Sequence, residues 1–148
     1  MSYQALTALM TIAAGEVLTA AVVQQINDNG EFLIDPPACS IKETTAQSLA
    51  DNTSTAMTSN EENFDNDSMH STVTNTSRIT IQTAGRYLIS ATVAFAANTV
   101  GVRYIAFRVN GTTYYDFAQV DATQTLGTEI SGMRPVVLAA AAYVEIIA

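Results

Sequence analysis

The chain has few of the residues that form disulfide bonds or bind structural metal ions in small domains. It contains one Cys, one His and no Trp in 148 residues. A single Cys excludes an internal disulfide, and one Cys with one His excludes a zinc site of two Cys and two His within one chain. Charged residues make up only 14% of the chain, well below the usual share of about a quarter.

Positive charge is the scarcest kind. Six Lys and Arg stand against fourteen Asp and Glu, which gives a net charge of −8. Affinity for nucleic acid and for anionic lipid surfaces comes from clustered cations, so we expect neither as a partner. The first lysine is Lys42, which argues against a secretory signal at the start of the chain. Residues 6–23 are interrupted by Gly15 and Glu16, which argues against a transmembrane helix.

Small and β-branched residues are abundant instead. The chain has 23 Ala and 20 Thr, a composition that favours an all-β domain with much irregular surface. The length is that of one domain with at most an appended arm. A surface built from Thr, Ser, Asn and Ala with few charges indicates that much of it faces other protein subunits.

The first 37 residues are predicted to form an N-terminal arm. Thr19 can cap a short helix that runs to Ile26, and residues 27–30 supply a stop in which Gly30 takes the left-handed conformation. One helix cannot make its own core, so it docks on its own domain, on a second copy or on a larger assembly. Its candidate partner-binding side chains are Val22, Val23, Ile26, Phe32 and Leu33.

Residues 38–148 are predicted to form a β-domain. Residues 40–49 favour an edge strand, and the acidic stretch around it favours long loops. The Asn110-Gly111 pair is the strongest hairpin signal in the chain. Short apolar runs separated by turn signals are typical of a sandwich or a barrel. The predicted strands of the second half are residues 78–82, 87–95, 103–109, 112–120, 129–138 and 143–148.

Several segments, in order, resemble the C1q/TNF-like jelly-roll domains of bacteriophage proteins. In that family a Gly-x-Tyr turn opens a long core strand, as Gly85-Arg86-Tyr87 does here, and the next hairpin often carries Asn-Gly. The resembling segments are residues 64–70, 75–89, 105–112, 136–138 and 143–146, together with a helix start at Thr19-Ala20 and the Pro36-Pro37 pair. The resemblance implies an all-β, C1q/TNF-like jelly-roll sandwich with a short N-terminal helical arm, assembled as a homotrimer.

Two departures from this family pattern stand out. Four alanines, residues 139–142, occupy the place of the family's Gly-Asp turn, and the chain stops at Ala148, where the family continues with one or two final strands. Missing strands would leave a sheet edge unpaired, which proteins usually protect. We expect residues 38–50, the arm or a neighbouring subunit to fill that edge. The alternative is that the sequence is a fragment, which an intact mass near 15.7 kDa would exclude.

No residue pattern predicts catalysis. His70 is interpreted as a loop histidine and Cys39 as a small buried residue rather than a nucleophile. Asp65 and Asp67 offer alternating carboxylates, a calcium candidate that lacks the remaining features of a calcium loop, so a solvated turn is the simpler interpretation. We therefore expect no cofactor, no metal other than this calcium candidate, and no enzymatic activity.

The expected function is structural. The family resemblance implies a virion protein of a bacteriophage, and the short chain without a fibre shaft favours a trimeric, cement-like head decoration protein anchored by its arm on capsid or tail components. The alternative is a tail or head-fibre protein that binds a host glycan or receptor. For that role the best local cluster is Tyr114, Tyr115 and Asp116, although such aromatic residues more often fill a core or a subunit interface.

Overall fold

The structure is a computed structural model, and it describes Val17, residues 19–122 and residues 127–148. The start of the predicted arm, residues 1–16, lies outside the described residues. The described part of the chain is mostly β, with antiparallel sheets and one helix, which confirms the predicted all-β class. Its elements are α1 (Ala20–Ile34), β1 (Cys39–Lys42), β2 (Glu61–Asp65), β3 (Arg78–Thr80), β4 (Gly85–Phe95), β5 (Val102–Val109), β6 (Thr113–Asp121), β7 (Thr128–Leu138) and β8 (Tyr143–Ile147).

The strands form three antiparallel groups. The largest is a four-stranded sheet in the order β3-β8-β5-β6, and β4 pairs with β7 along the full length of both strands. β1 pairs with β2 in a third, short group. Residues 55–57 add a bridge to the end of β8, where Ala56 stands opposite Ile147.

The core lies between the β4–β7 pair and the inner face of the four-stranded sheet. Phe107 of β5 and Val144 of β8 are almost completely buried and pack with Leu138 of β7. On β4, exposed and half-buried residues alternate without interruption from Gly85 to Phe95. This period of two places one face of each strand on the core, which is why the alternating apolar pattern predicted these strands.

The helix begins where the sequence predicts but ends later. The Thr19 side chain accepts a hydrogen bond from the Val22 backbone N–H at 3.4 Å, which confirms the cap. The predicted stop at Gly30 is wrong, because α1 continues to Ile34. The Gln24 amide donates to the Asp28 carboxylate at 2.7 Å and supports the polar stretch from within the helix. The helix ends before Pro36, whose ring disfavours helical backbone in the preceding residue.

Two further predictions of strand length are corrected. The strand expected over residues 40–49 is only Cys39–Lys42, because residues 43–49 form no ladder. The strand expected over residues 78–82 ends at Thr80. Beyond Thr80, the backbone of Ile81 forms hydrogen bonds to the four-alanine turn instead. Its carbonyl accepts from the Ala141 N–H and its N–H donates to the Ala142 carbonyl, both at 2.7 Å.

The Asn110-Gly111 hairpin is confirmed. Both residues have positive φ, 51° and 70°, a conformation that Asn and Gly adopt most easily. The turn joins β5 to β6 and pairs Val109 with Thr113. The Asn110 side chain also accepts a hydrogen bond from the Tyr143 backbone N–H at 2.9 Å, so the turn is tied to β8.

Candidate interaction surfaces

The outer face of the four-stranded sheet carries a cluster of charged and aromatic side chains. The hairpin register places Arg108 opposite Tyr114, on the face opposite to that of Phe107. The Arg108 Nη1 atom donates to the Tyr114 hydroxyl at 3.1 Å, and the Tyr104 phenol donates to the Asp116 carboxylate. We call Tyr104, Arg108, Tyr114 and Asp116 the polar-aromatic cluster.

Glu145 on the neighbouring strand β8 holds Arg108, the cationic residue of this cluster, in place. It is only 5% exposed, and its carboxylate accepts from Arg108 Nη2 at 2.7 Å and from Arg78 Nε at 3.3 Å. Burial alone would raise the pKa of Glu145, but the hydrogen bonds from Arg108, Arg78 and Ser77 and the charge of Arg108 outweigh burial and lower that pKa below its ordinary value. The Arg108 guanidinium is therefore held between Glu145 and Tyr114.

The two tyrosines of the cluster differ in accessibility. Burial and the hydrogen bond to Asp116 raise the pKa of Tyr104 to about 12, so its phenol stays protonated at neutral pH. Tyr114 is 45% exposed. Together with Asp116 and Arg108, it offers a ligand one aromatic face, one carboxylate and one guanidinium. This combination suits a polyhydroxylated ligand such as a sugar, which takes hydrogen bonds at its edge and apolar contact at its face.

Tyr115 does not belong to this surface. It points into the core, where its ring stacks on Phe107 with 4.7 Å between ring centroids and an interplanar angle of 10°. The structure thus brings Tyr114 and Asp116 to one face and separates Tyr115 from them. The sequence alone could have predicted this separation, because residues i and i+2 of a strand share a face and residue i+1 points to the other face.

Arg108 and Glu145 were not among the site residues predicted from the sequence. The hairpin signal at Asn110-Gly111 could have found Arg108, because that turn sets which β5 residue stands opposite Tyr114. Glu145 comes from a strand distant in sequence, and no local pattern connects it to Arg108.

The second surface is the apolar side of α1. None of the fifteen described residues of α1 is buried. Of the predicted anchor residues, Val23 is 51% exposed, Ile26 50% and Leu33 70%, whereas Val22 and Phe32 are half-buried. Large exposed apolar side chains in a row mark interaction sites. Within the described residues no helix is long and apolar enough to span a membrane.

The third surface is an open groove of about 1810 Å³ beside the core. It is lined by β1 and residues 43–47, by the C-terminal half of β4, and by residues 96–98 and 100–103. Its floor includes apolar side chains of the opposite layer, Ile79 and Val144 among them. We call this the β1–β4 groove. It was not predicted, because it arises from strands that are far apart in the sequence.

The calcium candidate residues lie in the turn after β2. The Asp65 carboxylate accepts hydrogen bonds from three backbone N–H groups, those of Asp67 at 3.3 Å, Met69 at 2.9 Å and His70 at 2.8 Å. Asp67 is buried, and its Oδ2 atom has no hydrogen-bond partner among the described residues. Burial, and to a lesser extent the charge of Asp65, raise the pKa of Asp67. The described residues contain no group of three or more metal-ligating side chains.

His70 and Cys39 are both engaged in the fold. The His70 ring is completely buried and lies 2.8 Å from the Glu62 carboxylate and 3.1 Å from the Thr76 carbonyl oxygen, so it ties β2 to the end of the following loop. Burial, and after it the charges of Asp65 and Glu62, raise the pKa of the Cys39 thiol to about 12. The thiol is therefore protonated at neutral pH, a poor state for a nucleophile.

Comparison with protein-family models gives no match, and comparison with curated proteins gives none either. The likeness to C1q/TNF-like domains therefore depends on the motifs in the sequence.

Proposed function

We infer that this chain is a structural, non-enzymatic subunit of a bacteriophage particle, built on a C1q/TNF-like jelly roll and assembled as a trimer. Its place would be the head, as a decoration protein held by its arm. The observation that carries the proposal is the exposed apolar side of α1 on a β-domain with few charges. An isolated helix with such a face gains stability by burying it against a partner.

Three arms on one trimer would bind the particle firmly even if each arm alone binds weakly. Burying one Val, Leu or Ile side chain contributes roughly 1.5–3 kcal/mol. A single arm with Val23, Ile26 and Leu33 therefore binds weakly once the cost of association is subtracted. Linking several arms turns the later binding events into intramolecular ones and raises the overall affinity.

Substitution of Ile26 tests the anchoring role. Ile26→Asp places a charge in the centre of the apolar side, and we expect about a tenfold or greater loss of binding to particles that lack the protein, measured by co-sedimentation. Asn27→Asp adds the same charge to the same turn at an exposed polar position and is the matched control. Equal binding of both variants would show that α1 does not anchor the protein to the particle.

The copy number per particle separates the possible locations. We expect quantitative mass spectrometry of purified particles to find the protein in numbers comparable to the capsid protein. A few copies per particle would instead place it on the tail or the portal, and complete absence from particles would contradict the virion role.

A second candidate function is glycan binding at a fibre tip, which the exposed Tyr114 beside Arg108 and Asp116 favours. Tyr114→Ala should abolish signals on a glycan array, while Tyr114→Phe keeps the ring face and should retain most of them. Thr92→Ala, an exposed position on the outer face of β4, controls for general effects on the fold. An array without any signal for the parent chain argues against this function.

A further inference from the structure

The outer face of the β4–β7 pair carries an exposed apolar patch. Leu88 of β4 is 63% exposed, and Met133 and Val137 of β7 are 68% and 74% exposed. Pro135 lies between the last two along β7, is also exposed, and stands directly opposite Leu88. Opposite residues of an antiparallel pair share a face, and diagonal neighbours are within reach of long side chains. These four side chains therefore form one continuous surface, which we call the β4–β7 patch.

The fold itself does not need this patch. The core is packed by the other face of the same two strands, which carries Tyr87 and Ile89 of β4 and Val136 of β7. A sheet with one face on the core normally presents polar side chains on the other face. A continuous row of exposed large apolar side chains instead marks an interaction site.

The distribution of charge makes this patch a place where two copies can meet. The chain has fourteen Asp and Glu against six Lys and Arg, so two copies repel each other over most of their surfaces. The β4–β7 patch contains no acidic residue, and the charged residue beside it on the same face is Arg86, which stands opposite Val137. The acidic residue of this face, Glu129, lies opposite Ala94 at the other end of the pair.

We propose that the β4–β7 patch packs on the same patch of a second copy of this chain, about a two-fold axis along the Leu88–Pro135 pair. A two-fold contact requires a self-complementary surface. Met133 and Val137 lie two residues to either side of Pro135, so half a turn places Met133 of each copy over Val137 of the other. Leu88 of one copy meets Leu88 of the other on the axis.

The polar neighbours of the patch agree with this arrangement. Arg86 and Ser90 lie two residues to either side of Leu88 and are exposed on the same face. The two-fold axis places each Arg86 over the Ser90 hydroxyl of the other copy and keeps the two arginines apart. An axis parallel to the strands would instead place Val137 over Arg86 and Met133 over Ser90, which leaves apolar side chains against polar ones.

This contact does not rest on the proposed function, because a two-fold axis can join two single chains or two trimers. The face is only two strands wide, so the interface is small and we expect association at micromolar concentration. Native mass spectrometry should therefore find assemblies of two or six chains. Assemblies of three chains alone would retain the proposed trimer and overturn the two-fold contact.

A charge on the axis tests the patch. Leu88→Asp places two carboxylates against each other, and we expect self-association to weaken at least about tenfold in sedimentation velocity. Thr92→Asp adds the same charge to the same face of β4, four residues from the axis, and should retain self-association. Circular dichroism of both variants checks that the fold is kept.

Cross-linking tests the position of the axis. Cys39, the only native cysteine, is replaced by Cys39→Ala, and Leu88→Cys or Thr92→Cys is added to that background. The two copies of residue 88 meet on the axis, so we expect a short bis-maleimide linker to join them. The two copies of residue 92 lie eight residues apart along the strands, roughly 26 Å, and should not be joined.

The two measurements together decide the proposal. Weaker self-association for Leu88→Asp alone, with cross-linking confined to Leu88→Cys, supports it. Equal self-association of the two aspartate variants, with equal cross-linking of the two cysteine variants, overturns it, and so does a parent chain that stays monomeric. Should Leu88→Asp fail to fold, the cross-linking result alone decides.

Discussion

At the scale of single residues, the four-alanine turn carries local strain. Ala141 has a φ of 66°, a left-handed conformation that costs a side chain with a Cβ about 1 kcal/mol or more. The turn keeps this geometry because the Ala141 N–H donates to the Ile81 carbonyl at 2.7 Å and Ala142 is buried.

We expect Ala141→Gly to stabilise the fold. Glycine removes the Cβ strain but adds flexibility to the unfolded chain, so the net gain is roughly 0.5–1 kcal/mol. Chemical denaturation of the purified protein measures it. Ala140→Gly, at the exposed preceding position, adds only the flexibility and should lower the stability. A loss of stability for both variants would contradict the assignment of strain to Ala141.

Glu145 predicts a pH dependence. Its pKa is lower in the folded state than the ordinary value of 4.5, so its contribution to stability is present above that value and disappears as the pH falls through the lowered folded pKa. Glu145→Gln should cost about 2 kcal/mol at pH 7, since two arginines lose their buried partner. Below the lowered pKa the parent and the variant should become equally stable.

Denaturant titrations at a series of pH values check this prediction. Glu61→Gln is the matched control, because Glu61 pairs with Lys42 at 3.1 Å but both side chains are about half exposed. Such a pair contributes at most about 1 kcal/mol. Equal losses for Glu145→Gln and Glu61→Gln would show that the buried network does not stabilise the fold.

At the scale of elements, α1 has no buried residue along its fifteen-residue length. Gly30 lies inside it, and a Cβ added there meets nothing within 4 Å. We expect Gly30→Ala to increase helicity, because alanine is favoured over glycine in a helix interior by about 1 kcal/mol. Far-ultraviolet circular dichroism and amide exchange of α1 measure the effect.

Gly132 on β7 provides the contrast to Gly30. A Cβ there would lie 2.5 Å from the Phe117 Cβ, so Gly132→Ala should destabilise the domain by roughly 1–3 kcal/mol through overpacking. A rise in helicity for Gly132→Ala, or none for Gly30→Ala, would contradict this assignment of the two glycines.

Local patterns predicted the elements where one rule dominates. The strict alternation along β4 and the left-handed pair at Asn110-Gly111 were sufficient to place strands and a hairpin. The rule failed at Gly30, because weak helix propensity ends a helix less reliably than Pro36 does. The sequence predicted only those site residues that lie on one strand, since Tyr114 and Asp116 share a face by their spacing. Glu145 and the β1–β4 groove could not be predicted in this way, because they depend on pairing between strands that are distant in sequence.

At the scale of the whole molecule, the proposed trimer makes stability depend on concentration. A partner subunit that binds only the folded state stabilises that state by mass action. We expect the melting temperature to rise with protein concentration over the micromolar range, as calorimetry can measure. A melting temperature independent of concentration would contradict the proposed trimer.

The end of α1 also fixes where the proposed arms leave the trimer. The helix ends at Ile34, and the Asn66 side chain donates to the carbonyl of the nearby Pro36 at 2.8 Å. Three arms held at such points would leave the trimer at one fixed spacing. A surface could then bind all three arms only if its own binding sites repeat at that spacing, so the lattice of the shell would select the trimer.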